Sequence, residues 1–245
     1  MQKKIEKLGV SSLEAQELIK VSKNITKDYK KLIKKYPIQY LIGYVNFMGL
    51  KIKVNKKVLI PRYETETLVE KTLKYIKKYN INNPNILDLC TGSGAIALAL
   101  KNNIKCDVTA TDNSLNALSI AKLNKTNTKL KINLYKSNLF DKISDKFDVI
   151  ISNPPYVKKT DEISKVVKYE PKRALYAKDK GNYYIKKIIR ESKYYLKPKS
   201  ILAIEINNYN SKTIKEYAKT IYPNRIIKIE KDLTKKDRYL FIIDK

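Results

Sequence analysis

Asn85-Ile86-Leu87-Asp88-Leu89-Cys90-Thr91-Gly92-Ser93-Gly94, running on into the apolar residues 95–100, decides the fold of this 245-residue chain. Residues 85–89 read as a short buried strand, the two glycines as a turn, and residues 95–100 as the start of a helix. Glycine lets backbone approach a ligand closely, and in open parallel sheets ligands bind beyond the carboxyl ends of the strands. A Gly-x-Gly turn also serves simply to join a strand to a helix. Ala97 occupies the place of a third glycine and no Gly-Lys-Ser/Thr follows, which disfavours a phosphate-cradling loop.

Outward from this turn the pattern repeats. Residues 108–111, 132–134, 147–152 and 201–206 read as strands, with helices predicted over 115–123, 183–196 and 211–221. Alternating strands and helices imply an α/β fold with a mainly parallel sheet covered on both faces. The last two strand patterns, 226–229 and 239–243, predict an antiparallel closure. Upstream, Val69, Leu73 and Ile76 line a helix. Ile52 and Val54, then Val58 and Ile60, flank Asn55-Lys56-Lys57 as a predicted hairpin. Residues 11–36 carry helical spacing that ends at Pro37. The expected organisation is a helical N-terminal piece over 1–42, a hairpin linker over 43–62 and a catalytic domain over 63–245.

Composition narrows the function. With 43% hydrophobic and 31% charged residues the chain is globular in character, and a core is affordable at this length. No apolar run is long enough to span a membrane and the start lacks a signal-peptide pattern, so a cytoplasmic protein without membrane attachment is expected. The chain has no histidine, which excludes His-dependent triads, bases and metal sites, and Cys90 and Cys106 have no metal-ligand spacing, so no metal is expected. The formal charge of +28 would suit a polyanion. Only five of the 52 basic residues are arginine, however, and the lysines are scattered among Asn, Ile and Tyr. That spread is what AT-rich codon usage produces, so direct nucleic-acid binding is not expected on charge alone.

Two further motifs carry chemistry. Asp112 ends the strand that follows the glycine turn, about 20 residues on, where an acid accepts hydrogen bonds from ribose hydroxyls; capping the next helix is its alternative role. Asn153-Pro154-Pro155-Tyr156 follows the apolar strand 147–152 directly. Two prolines fix two φ angles and remove two N–H donors, giving a stiff loop. The Asn153 side-chain oxygen and the Pro154 carbonyl are both acceptors, so together they can take the two hydrogens of a planar NH2 and aim its nitrogen at an electrophile.

With these motifs the chain resembles the class I S-adenosylmethionine-dependent methyltransferases whose Asn-Pro-Pro-Tyr loop presents an NH2 nucleophile. Three upstream segments are similar to those of the release-factor glutamine methyltransferases, the HemK/PrmC family: Pro37-Ile38-Gln39-Tyr40-Leu41-Ile42-Gly43, Phe47-Met48-Gly49, and Val58-Leu59-Ile60-Pro61-Arg62-Tyr63-Glu64-Thr65-Glu66. The similarity continues through Glu170-Pro171, Ala174-Leu175, Gly181, Glu205-Ile206, Asp232-Leu233 and Asp237-Arg238. It implies a Rossmann-like, seven-stranded methyltransferase sheet, a shortened helical domain that docks substrate, and methylation of the glutamine amide in the Gly-Gly-Gln motif of release factors. For the cofactor S-adenosylmethionine it implies Asp88, Cys90, Thr91, Gly92, Ser93, Gly94, Asp112, Leu139 and Asn153. For the substrate it implies Asn153, Pro154, Pro155 and Tyr156, with Asn153, Pro154 and Tyr156 catalytic. Arg62 and Glu64 are candidates either for ordering the cofactor pocket or for a surface ion pair. Cys90, Asn207 and Lys235 stand where the family usually has glycine, and Asn138-Leu139 where it has an acid and often an aromatic. The rival readings are a ribosomal-protein glutamine methyltransferase, an RNA or DNA exocyclic-amine methyltransferase, and an inactive binding module on the same fold.

Overall fold

The computed structural model describes residues 1–244; Lys245, the expected last residue of the catalytic domain, lies outside the described residues. Four short helices come first: α1 (Gln2–Glu6), α2 (Ser12–Val21), α3 (Ile25–Ile33) and α4 (Ile38–Ile42). The helical spacing over 11–36 is broken at 22–24 because the Asn24 side chain accepts the Lys27 N–H at 2.9 Å and starts a new helix. Ile5, Ala15, Leu18, Leu32 and Ile38 close a small core of their own.

The hairpin lies upstream of its sequence-based position. Strands β1 (Tyr44–Phe47) and β2 (Leu50–Lys53) pair around Met48 and Gly49, both at positive φ (48° and 77°), as a two-residue type I′ turn requires. Asn55-Lys56-Lys57 instead bends the chain after β2. The Asn55 side chain accepts the Lys57 N–H at 2.9 Å, and Val54 and Val58 pack on Ala117 and Ile120.

Helix α5 (Tyr63–Lys78) leads into β3 (Asn85–Leu89), α6 (Ala95–Asn103), β4 (Asp107–Asp112), α7 (Leu115–Thr128), β5 (Asn133–Lys136) and β6 (Phe147–Ser152). After a long loop containing α8 (Lys172–Leu175) come α9 (Tyr183–Ser192), β7 (Leu196–Glu205), α10 (Ser211–Ile221), β8 (Ile226–Lys231) and β9 (Asp237–Ile243). The seven strands lie in the order β5-β4-β3-β6-β7-β9-β8, with β9 antiparallel to both of its neighbours and the other pairs parallel.

Alternation along the central strands divides the core. Ile86, Val149, Ile151 and Ala203 pack with Leu68, Val69 and Leu98 on one face, and Leu87, Ile150, Leu202 and Ile204 pack with Ile185, Ile188 and Ile214 on the other. Both faces are covered, so the strands read as continuous apolar runs. Each fully buried Leu or Ile contributes about 1.5–3 kcal/mol, which fixes the carboxyl ends of β3, β4, β6 and β7 in a single row. Cys90, Asp112, Asn153 and Glu205 stand at those four ends.

Candidate active site

Chain order reverses on either side of β3, the position at which open α/β sheets form a ligand crevice. A cavity opens there, and Cys90, Gly92, Asp112, Leu139, Asn153 and Pro155 are among the residues that wall it. The turn is shaped by three left-handed residues in alternation, Cys90 (φ 61°), Gly92 (57°) and Gly94 (82°). Cys90 thus holds a conformation that favours glycine. Burial and the nearby Asp112 and Asp88 push its thiol up, which disfavours the thiolate. At Gly94 a Cβ would come within 3.3 Å of the Ala121 side chain, so this glycine lets α7 pack against the turn.

Asp112 serves as a clamp. One carboxylate oxygen accepts the Gly92 N–H at 2.9 Å and the other accepts the Ser114 N–H at 2.8 Å, while capping of α7 falls to the Ser114 hydroxyl. Burial raises its pKa and the two backbone donors counter that rise. Asp88, Thr91, Ser93 and Gly94 are not on the cavity wall; the first three are buried beneath the turn, where the Thr91 hydroxyl donates to Asp88 at 2.6 Å.

Asp88 carries a pH dependence. Burial pushes its carboxyl up to about 7, against about 4 in an unfolded chain. Between those values the folded protein keeps a proton that the unfolded chain has released, so stability is full at low pH and falls as pH rises through the window. Without cofactor, the melting temperature should decline from pH 5 to pH 8, and Asp88→Asn, neutral throughout, should remove most of that decline. Parallel profiles for the two proteins would exclude Asp88 as its source.

The Asn153 loop continues β6, whose end is tied to β3 by Ser152 donating to the Leu89 carbonyl at 2.7 Å. Asn153 and Pro155 wall the cavity, whereas Pro154 is buried and Tyr156 packs against the α9–α10 core. Behind the loop lies a chain of polar groups. The Asn153 amide nitrogen donates to the Thr65 hydroxyl at 2.9 Å, Thr65 donates to Glu205 at 2.8 Å, and the Tyr156 hydroxyl donates to the other Glu205 oxygen at 2.8 Å. Burial drives the Tyr156 phenol well above its ordinary value, with the Glu205 charge adding to the shift.

Sequence reasoning singled out neither Thr65 nor Glu205 as site residues, although both lie in segments that carry the family resemblance. It also missed Ser137, Arg173, Tyr184 and the linker residues Lys57, Val58 and Leu59, all on the cavity wall. Arg62 is not on that wall. It pairs with the buried Glu170, which also accepts the Ile60 N–H at 3.0 Å, and so secures the linker that supplies Val58 and Leu59. Glu64 receives the Tyr239 hydroxyl on its backbone carbonyl.

Residues 65–182 match the family model described as a methyltransferase small domain. The release factor glutamine methyltransferase of Streptococcus pneumoniae is 39% identical over 220 residues, covering 88% of this chain and 78% of that protein. The protein of the same name from Buchnera aphidicola is 42% identical, covering 84% and 74%. A methyltransferase structure from Pyrococcus furiosus superposes with a TM-score of 0.60 at 21% identity, covering 80% of this chain and 89% of the other, which shows the shared fold. The chain belongs to the release factor glutamine methyltransferase family.

Proposed function

We propose that this protein methylates the side-chain amide nitrogen of the glutamine in the Gly-Gly-Gln motif of peptide chain release factors. The observation that carries the reading is that Asn153 and Pro155 of the Asn-Pro-Pro-Tyr loop wall the same cavity as the Gly92–Asp112 clamp. S-adenosylmethionine fits the clamp side. Each Asp112 oxygen accepts one backbone N–H and keeps a lone pair for a ribose hydroxyl, while Leu139 and Ala117 offer apolar surface. When bound, S-adenosylmethionine would supply a sulfonium methyl as the electrophile for the amide nitrogen, with the thioether as leaving group and the amide proton passing to water.

On the other side, the Asn153 oxygen and the Pro154 carbonyl take the two hydrogens of the glutamine NH2. An amide nitrogen is a poor nucleophile because its lone pair is delocalised, so orientation and electrostatics supply much of the rate. Val58, Leu59, Leu139 and Pro155 give the cavity wall its apolar part. In this reading the helices over 1–42 dock the release factor, the segment from residue 63 onward carries out the transfer, and the reaction takes place in the cytoplasm.

The test is mass spectrometry of purified release factor, ribosomal proteins and bulk RNA, each incubated with the enzyme and isotope-labelled S-adenosylmethionine. Label is expected on the Gly-Gly-Gln glutamine. Label confined to RNA, or to a ribosomal-protein glutamine, would overturn the assignment.

A further inference from the structure

Glu205 is 1% exposed and ends β7, yet among the described residues it forms no salt bridge. A carboxylate in that setting is costly to bury, and the transfer chemistry gives it no direct task. Its two oxygens are taken by Thr65, from the first turn of α5, and by Tyr156, from the catalytic loop. Burial raises its pKa, and the Thr65 and Tyr156 hydroxyls and the nearby Arg238 guanidinium counter part of that rise.

With Glu205 ionised, the donor and acceptor inventory permits one arrangement. Its carboxylate then only accepts, so the Thr65 and Tyr156 hydroxyl protons both point at it. With its single proton committed, Thr65 offers Asn153 lone pairs alone. The part of the Asn153 amide facing Thr65 must therefore be its NH2, and the oxygen is left facing away from Thr65. A side-chain amide is nearly symmetric in shape, so packing by itself discriminates poorly between its two orientations. The flipped amide would set an NH2 against the NH2 of the substrate, donor against donor.

We propose that Glu205, acting through the Thr65 hydroxyl, is a positioning residue that fixes the orientation of the Asn153 amide and keeps its oxygen turned toward the nucleophile. Through Tyr156 the same carboxylate holds the far end of the loop. The proposal rests on the methyl-transfer reading for its kinetic consequence only; the orientation of Asn153 can be observed without substrate.

Two measurements test it on the full-length protein. Thr65→Val keeps the shape and removes the relay, Thr65→Ser keeps the hydroxyl, and Glu205→Gln replaces an acceptor by a donor. With release factor as substrate, Thr65→Val and Glu205→Gln should lower kcat about 10–100-fold with KM for S-adenosylmethionine unchanged, and Thr65→Ser should restore most of the rate. In nitrogen–proton NMR spectra of the substrate-free protein, the Asn153 side-chain amide is assigned by its absence in Asn153→Ala. One of its protons should exchange slowly in the wild type and in Thr65→Ser, and at least about tenfold faster in Thr65→Val. Equal exchange in Val and Ser variants that melt like the wild type would overturn the relay. Wild-type protection without methylation of any release factor would overturn the substrate assignment and leave the relay standing.

Discussion

Asn153→Ala is expected to reduce methyl transfer by about three orders of magnitude while S-adenosylmethionine binds within about threefold of its wild-type affinity. The residue removed is the acceptor that aligns the substrate NH2, and loss of one preorganised polar contact at a reacting centre costs on the order of 100–1000-fold in kcat. Orientation weighs more heavily here because the nucleophile is weak, which takes the expected loss to the upper end of that range. Cofactor affinity is spared because the Gly92–Asp112 clamp lies at the ends of β3 and β4, whereas Asn153 extends β6. Single-turnover methylation and calorimetric titration with the cofactor separate the two effects. A parallel fall in both would mean that Asn153 belongs to the cofactor site and would remove the basis for the NH2-gripping loop.

The course of the sheet was legible because buried parallel strands advertise themselves as apolar runs and the turn after β3 carries its glycines. Substituted glycines were partly legible as well. Cys90 and Lys235 adopt the left-handed backbone (φ 61° and 64°) that favours glycine. Asn207 has φ −79° and needs no glycine, and its side chain accepts the Tyr209 N–H at 3.1 Å. The hairpin was misplaced because its turn is Met48-Gly49, and methionine seldom takes positive φ, while Asn55-Lys56-Lys57 has turn chemistry used for a bend. Hidden altogether was the Asn153–Thr65–Glu205 chain. Thr65 and Glu205 lie 140 residues apart, and only the strand order places the end of β7 beside the end of β6, with α5 packed against β7. Spacing along a sequence carries no information about which strands become neighbours.

Gly181→Ala should disable the enzyme from outside the cavity. Gly181 sits at φ 91° just before α9, and a Cβ built there would lie 2.3 Å from the backbone carbonyl oxygen of Tyr156. Relief requires a movement of roughly 1 Å, and a backbone carbonyl cannot rotate away as a side chain can. Immediately downstream, Val157 is fixed by its N–H to the Leu175 carbonyl at 2.8 Å and by its own carbonyl to the Ala177 N–H at 2.9 Å. The shift is therefore forced upstream, through two prolines that hold φ rigid, to Asn153. A 1 Å misplacement at a reacting centre costs about 100-fold in rate, and the positive φ and the crowding together cost about 2–5 kcal/mol, a fall of roughly 4–20 °C in melting temperature. Gly9 provides the comparison: it too has positive φ, at 85°, but a Cβ there meets nothing within 4 Å. Gly9→Ala should lose only the conformational part, about 1–2 kcal/mol, with kcat unchanged. If Gly181→Ala merely matched Gly9→Ala in both melting temperature and kcat, the close approach of Gly181 to Tyr156 would have no part in holding the loop.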